Sequence, residues 1–171
     1  MSPEETLMFE EFMGIPAHPL VLHAAVVFVP LLALLTVGYA LVPPIRSHTR
    51  WVLALLALGA PAAALLARLT GDAFFERMRA ANRVTPEFVP ILERHQGFGN
   101  NTLWASLGLA VVALALVWFV APRAAGESAD KRPKLPLTLV LQVLSVVTAG
   151  IALYYVIRTG DSGAKAVWEG Q

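Results

Sequence analysis

Apolar positions run through this chain in four long blocks, and the polar positions between them gather into short connecting stretches. From Pro19 to Val42 the one strongly polar side chain is His23. Roughly 20 consecutive apolar residues cross a bilayer as a helix, so this block predicts a membrane span over residues 19–42. The later blocks predict spans over 51–70, 102–121 and 136–157. The pattern therefore predicts an all-α fold, a four-transmembrane-helix up-down bundle forming a single integral membrane domain over residues 1–171.

Local signals sharpen that reading. Proline suits the first position of a helix, where its missing N–H would be unpaired anyway. Pro19 therefore opens the first span with His18 at its mouth, and Val42-Pro43-Pro44 closes it. Pro30 and Pro61 lie inside spans and predict bends, which neighbouring helices can tolerate in a membrane. The second span is rich in small residues from Gly59 to Ala67, which let helices approach closely in lipid. Ala73 to Ala81, AFFERMRAA, reads as a short interfacial helix between helices 2 and 3, or as a continuation of the second span. Glu87 to Gln96 reads as helical and leads into the third span. Trp51, Trp104, Trp118, Tyr154 and Tyr155 fall near span ends, as an aromatic belt would place them. No clear internal repeat is visible.

Composition agrees with a membrane setting. The chain is 57% hydrophobic and only 15% charged, where a soluble domain carries about 25% charged residues. The mean hydropathy is +0.63. A net charge of +1 gives no basic face for nucleic acid. The absence of cysteine excludes disulfides, thiolate metal sites and cysteine nucleophiles within the chain. The opening MSPEETLMFEEFMG is acidic, unlike the basic start of a cleavable signal peptide. Residues 1–17 then read as an amphipathic lead or a frayed tail. Short loops carrying Arg46 and Arg50, and Arg123, Lys131, Arg132 and Lys134, favour termini outside by the positive-inside rule.

Few polar groups are left to carry chemistry. An imidazole in hydrocarbon is costly without a partner, so histidines there are candidates for function. His18 and His23, five residues apart, lie about 140° apart around a regular helix and do not share a face. An up-down bundle brings the start of span one and the start of span three into one leaflet, so His18 and His95 can face each other there. His95, Gly99, Thr102 and Ser106 share one helical face, and Gly99 leaves room for a flat ligand beside His95. His18, His23 and His95 are therefore candidate ligands of haem b or of a transition metal. The competing reading puts His18 and His95 in the wet interface, with His23 bonded to a carbonyl or to Gln142. Arg68 with Asp72, and Arg158 with Asp161, fall at the same membrane face. They either pair locally or form a charged cluster that anchors haem propionates, through Arg68 and Arg158, or guides protons. Gln142, Ser145 and Thr148 form a polar stripe suited to interhelical hydrogen bonds. No Ser–His–Asp order, phosphate loop or HExxH motif supports hydrolytic or phosphoryl-transfer chemistry.

The stretch HPLVLHAAVVFVP in span one resembles the HPxxVHFP signature of DUF2231, a bacterial four-helix membrane family. The resemblance extends through the His95 segment to the closing TGDSGAKAVW. It implies a multi-pass protein of the bacterial inner membrane and assigns the signature to His18, Pro19 and His23, with His95 as the further position. Some members are joined to Rieske-type domains, which implies respiratory or redox chemistry. Here Ala24 and Ala25 follow the second histidine, and the proline is delayed to Pro30. The resulting expectation is a haem- or metal-binding electron-transfer subunit, in contact with lipid and with respiratory subunits or further copies of itself. The alternative is a non-catalytic membrane scaffold or accessory subunit of a larger complex.

Overall fold

The structure is a computed structural model describing residues 11–12, 15–120 and 135–168. A two-rung antiparallel ladder pairs β1 (Glu11–Phe12) with β2 (Ile15–Pro16). Four long helices follow: α1 (Ala17–Leu41), α2 (Arg46–Ala80), α3 (Val89–Phe119) and α4 (Leu135–Trp168). A single 3₁₀ turn, Pro43–Ile45, joins α1 to α2. The acidic lead before residue 11 and the basic stretch Arg123 to Lys134 lie outside the described residues.

The helices run up and down in a ring. α1 packs along α2 and α3 along α4, the α2–α3 and α4–α1 contacts close the ring, and α1 approaches α3 across one diagonal. Leu32, Leu53, Ala57, Leu109, Leu116 and Ala152 meet in the middle. The outward faces are apolar as well: Leu34, Leu58, Val111 and Ile157 are each more than 60% exposed. A protein in water rarely shows so continuous an apolar surface. All four helices are long and apolar enough to cross a membrane, and their outer faces meet lipid. Pro30 and Pro61 sit inside α1 and α2, and both helices continue through them.

A separate interfacial helix between the second and third spans is not present. Residues 73–80 are the last turns of α2. Gly71 lies just before them, and a glycine inside a helix costs only about 1 kcal/mol. The helix stops where Asn82 takes a left-handed backbone, φ 52°. There Arg83 N–H bonds the Met78 carbonyl at 2.9 Å and Asn82 N–H bonds the Arg79 carbonyl at 3.0 Å. That is the Schellman closure, which asparagine tolerates better than most residues. Likewise α4 continues through the glycine-rich TGDSGAKAVW.

These extensions give the bundle a lopsided shape. The 35 residues of α2 make a rod about 50 Å long, against a hydrocarbon core of about 30 Å. α1 begins at Ala17, level with Thr70 of α2, and α2 runs on past that level from Gly71 to Ala80. The end of α2, the start of α3 and the end of α4 thus form a three-helix collar above the mouth of α1.

At the opposite end Arg46 closes α1. Its Nε donates to the Tyr39 carbonyl at 2.8 Å and its Nη2 to the Ala40 carbonyl at 2.7 Å. The Gln142 amide of α4 donates to the same Ala40 oxygen at 3.1 Å. These bonds satisfy carbonyls that the end of a helix leaves without partners. Hydrogen bonds from a charged donor contribute about 1.5–3 kcal/mol. Arg46→Met is expected to lower the thermal midpoint in detergent, and Arg46→Lys to recover only part of the loss, since an ammonium lacks the fork. A midpoint unchanged in Arg46→Met would show that the cap carries no weight.

Candidate functional site

Under the collar, α1 and α3 each place one histidine toward the centre. The ring centroids of His18 and His95 lie 6.5 Å apart with an interplanar angle of 80°. Each ring is held by the helix that pairs with its own. His18 Nδ1 lies 3.0 Å from the Ala67 carbonyl and 3.3 Å from Thr70 Oγ1, both on α2. His95 Nδ1 lies 3.0 Å from Ser162 Oγ on α4.

These contacts fix the proton. A carbonyl only accepts, so His18 Nδ1 carries the hydrogen. The Thr70 hydroxyl already donates to the Leu66 carbonyl at 2.8 Å, leaving its oxygen to accept. The Ser162 hydroxyl donates to the Thr159 carbonyl at 3.0 Å, so His95 Nδ1 is the donor to Ser162 Oγ. In a neutral imidazole with hydrogen on Nδ1, Nε2 is a bare lone pair. Both rings therefore offer the same nitrogen to a ligand. Fastening one ring nitrogen to a carbonyl or hydroxyl is how a ligating histidine is oriented.

Two glycines make the seats possible. A Cβ at Gly71 would stand 3.0 Å from His18 Cε1, and one at Gly163 would stand 2.9 Å from His95 Cε1. Only a residue without a side chain lets an imidazole lie this close to a neighbouring helix. Phe74, one turn further along α2, stacks on His18 at 6.3 Å and 16°. Beside His95, a Cβ at Gly99 would meet no atom within 4 Å.

Charged and polar groups ring this end. Gln96 of α3 donates to Asp72 of α2 at 3.2 Å, and Asp72 lies 3.9 Å from Arg68. On α4, Asp161 lies 3.8 Å from Arg158 and 3.1 Å from Lys165. These pairs are half-exposed, so each contributes little to stability. The Arg158 guanidinium lies over the Phe98 ring at 4.9 Å, and its Nε is buried without a hydrogen-bond partner among the described residues.

His23 does not join the pair. It is exposed on α1, and its Nδ1 bonds the Pro19 carbonyl one turn back. His48 lies at the far end of the bundle, exposed, against Ser47. Gln142 and Ser145 serve packing: Ser145 is fully buried and donates to the Gln142 carbonyl at 2.7 Å. Among the described residues, no group of three or more His, Cys, Asp or Glu side chains is placed to hold a metal ion.

Over residues 14–171 the chain matches the family described as predicted membrane protein DUF2231. It belongs to the DUF2231 family. Comparison with curated proteins and with solved structures returned no match.

In this DUF2231 chain the histidines were legible in the sequence and their seats were not. Thr70, Gly71, Ser162 and Gly163 carry no sequence mark as positions that seat a histidine, because small residues in a membrane helix are expected on packing grounds alone. The available signal was a hydroxyl residue followed by glycine near the end of each descending helix.

Proposed function

We propose that this multi-pass membrane protein is a redox subunit in which His18 and His95 would hold a haem b, at the non-cytoplasmic rim of the bilayer. The observation that carries the reading is the facing pair of imidazoles, 6.5 Å between centroids, each protonated on Nδ1. Two imidazoles fastened through Nδ1 and leaving Nε2 free could hold one metal-containing group between them. A site with two protein ligands suits a group that brings the rest of its metal's ligands with it. It suits a bare ion poorly, since an ion would need a third and fourth protein ligand.

The surrounding residues fit the same group. The open space beside Gly99 lies one turn from His95 on the same face of α3. Arg68 and Arg158 are among the cations at this end that propionates would meet. Bound haem supplies one-electron transfer, and what the chain itself contributes is the orientation of the two nitrogens. His23, facing outward, is outside the ligand set in this reading.

A visible spectrum of the protein, purified from cells well supplied with haem and iron, tests the reading. A Soret band is expected, lost in His18→Ala and in His95→Ala and retained in His23→Ala. A colourless, metal-free protein would overturn it and leave the membrane scaffold as the surviving function.

A further inference from the structure

Many of the buried positions of α1 and α3 coincide. The shift in numbering that carries His18 onto His95 carries Ala25 onto Thr102, Val29 onto Ser106, Leu32 onto Leu109, Ala33 onto Ala110 and Tyr39 onto Leu116. Every one of these residues is buried. A second shift does the same for the descending helices. It carries Leu53 onto Ser145, Ala57 onto Ala149, Ala60 onto Ala152, Ala64 onto Val156, Ala67 onto Thr159 and Thr70 onto Ser162, again buried throughout.

The contacts obey the same two shifts. His18 bonds the Ala67 carbonyl and Thr70, and His95 meets the Thr159 carbonyl and Ser162. Gly71 lies against His18 and Gly163 against His95. Ala25 packs with Ala67 in the first half, and their counterparts Thr102 and Thr159 share a 2.8 Å hydrogen bond in the second. Equivalent helices run in the same direction, so the operator relating them is a two-fold axis along the bundle. The closer diagonal of the ring, α1 to α3, crosses that axis, and the two imidazoles face each other on it.

We propose that the chain is two hairpins of one kind, α1–α2 and α3–α4, and that Thr70 and Ser162 are matched positioning residues presenting His18 and His95 by Nε2 to a ligand on the axis. The proposal rests on the haem reading for the ligand's identity but not for the seats. The hydroxyl at each seat uses its own hydrogen on the helix backbone, which leaves its oxygen able only to accept. A ring turned to present Nδ1 as a lone pair would face that oxygen without a hydrogen between them, so each seat selects one tautomer.

The test is ¹⁵N NMR of histidine-labelled, full-length protein in nanodiscs, reduced with dithionite so that any low-spin haem iron is diamagnetic. At a pH where the rings are neutral, His18 and His95 are each expected to show a protonated Nδ1 and an unprotonated Nε2. Because the Ala67 and Thr159 carbonyls still accept from Nδ1, Thr70→Val should keep the His18 tautomer but shift its Nδ1 resonance alone, and Ser162→Ala should do the same for His95 alone. The conservative exchanges Thr70→Ser and Ser162→Thr should leave both resonances in place. A hydrogen on Nε2 in either ring of the unaltered protein, or Nδ1 resonances unmoved by Thr70→Val and Ser162→Ala, would overturn the proposal. A colourless protein with the expected tautomers would defeat the haem reading and leave the seats standing.

Discussion

Replacing Gly163 by leucine is expected to drive His95 from its seat and to lower stability by about 1–3 kcal/mol. The Cβ alone would stand 2.9 Å from Cε1 and 3.4 Å from Nδ1 of the ring, closer than carbon atoms pack. The ring cannot slide away and keep its bond to Ser162. Forcing extra atoms into a packed site typically costs about 1–3 kcal/mol, and the lost hydrogen bond adds about 1 kcal/mol. Leucine returns somewhat less than 1 kcal/mol through its better helix propensity. Gly71→Leu should act in the same way on His18 and somewhat more mildly, its Cβ contact being 3.0 Å. Gly160, on the same helix as Gly163, has nothing within 4 Å of its Cβ position. Gly160→Leu is therefore the control and should be neutral or slightly stabilising. Thermal unfolding in detergent together with the histidine ¹⁵N spectrum reads both effects. A Gly163→Leu protein as stable as Gly160→Leu, with the His95 signal unmoved, would show that the close approach is not needed.

Hydropathy alone was enough for the four helices, because a run of apolar residues long enough to span a bilayer has few other ways to fold. It also placed His18 and His95 at one end, since alternating helix direction follows from short connections. What hydropathy could not find was where a helix stops once it leaves the membrane. Residues 73–81 read as helical, either separate or continuing the second span, and polarity alone could not choose; the structure continues α2 until Asn82 takes its left-handed turn, and α4 runs on through 159–168.

The repeat stayed hidden for a different reason. Burial between helices constrains size and face far more than identity, so Val29 can match Ser106 and Tyr39 can match Leu116 while both members are buried. The sequence even offers a false alignment. Arg68-Leu-Thr-Gly-Asp72 and Arg158-Thr-Gly-Asp161 invite pairing Thr70 with Thr159. The contacts instead match Thr70 to Ser162 and Ala67 to Thr159, because the histidines sit against those positions. His23 is the converse case. As a histidine inside a span it read as a ligand, but the Pro19 carbonyl gives its Nδ1 a partner without any second helix.

Leu32→Ala and Leu109→Ala are expected to destabilise the bundle by similar amounts, roughly 1–3 kcal/mol each. Both side chains are fully buried in the central cluster, and they occupy equivalent positions in the two halves. In a water-soluble core such a truncation costs about 2–5 kcal/mol, part from lost transfer out of water and part from the cavity left behind. In a membrane the first part largely falls away, because lipid tails are as apolar as leucine. The cavity and its lost dispersion contacts remain, which sets the lower range. Leu34 lies on the same helix as Leu32 but is 65% exposed to the outside, so Leu34→Ala leaves no cavity and should stay within about 0.5 kcal/mol of the unaltered protein. Unfolding titrated with a denaturing detergent, followed by helix content, measures all three. If Leu32→Ala costs no more than Leu34→Ala, the inward face of α1 has been misassigned. If Leu32→Ala is costly while Leu109→Ala is silent, the two hairpins do not share a packing register and the two-fold axis fails with it.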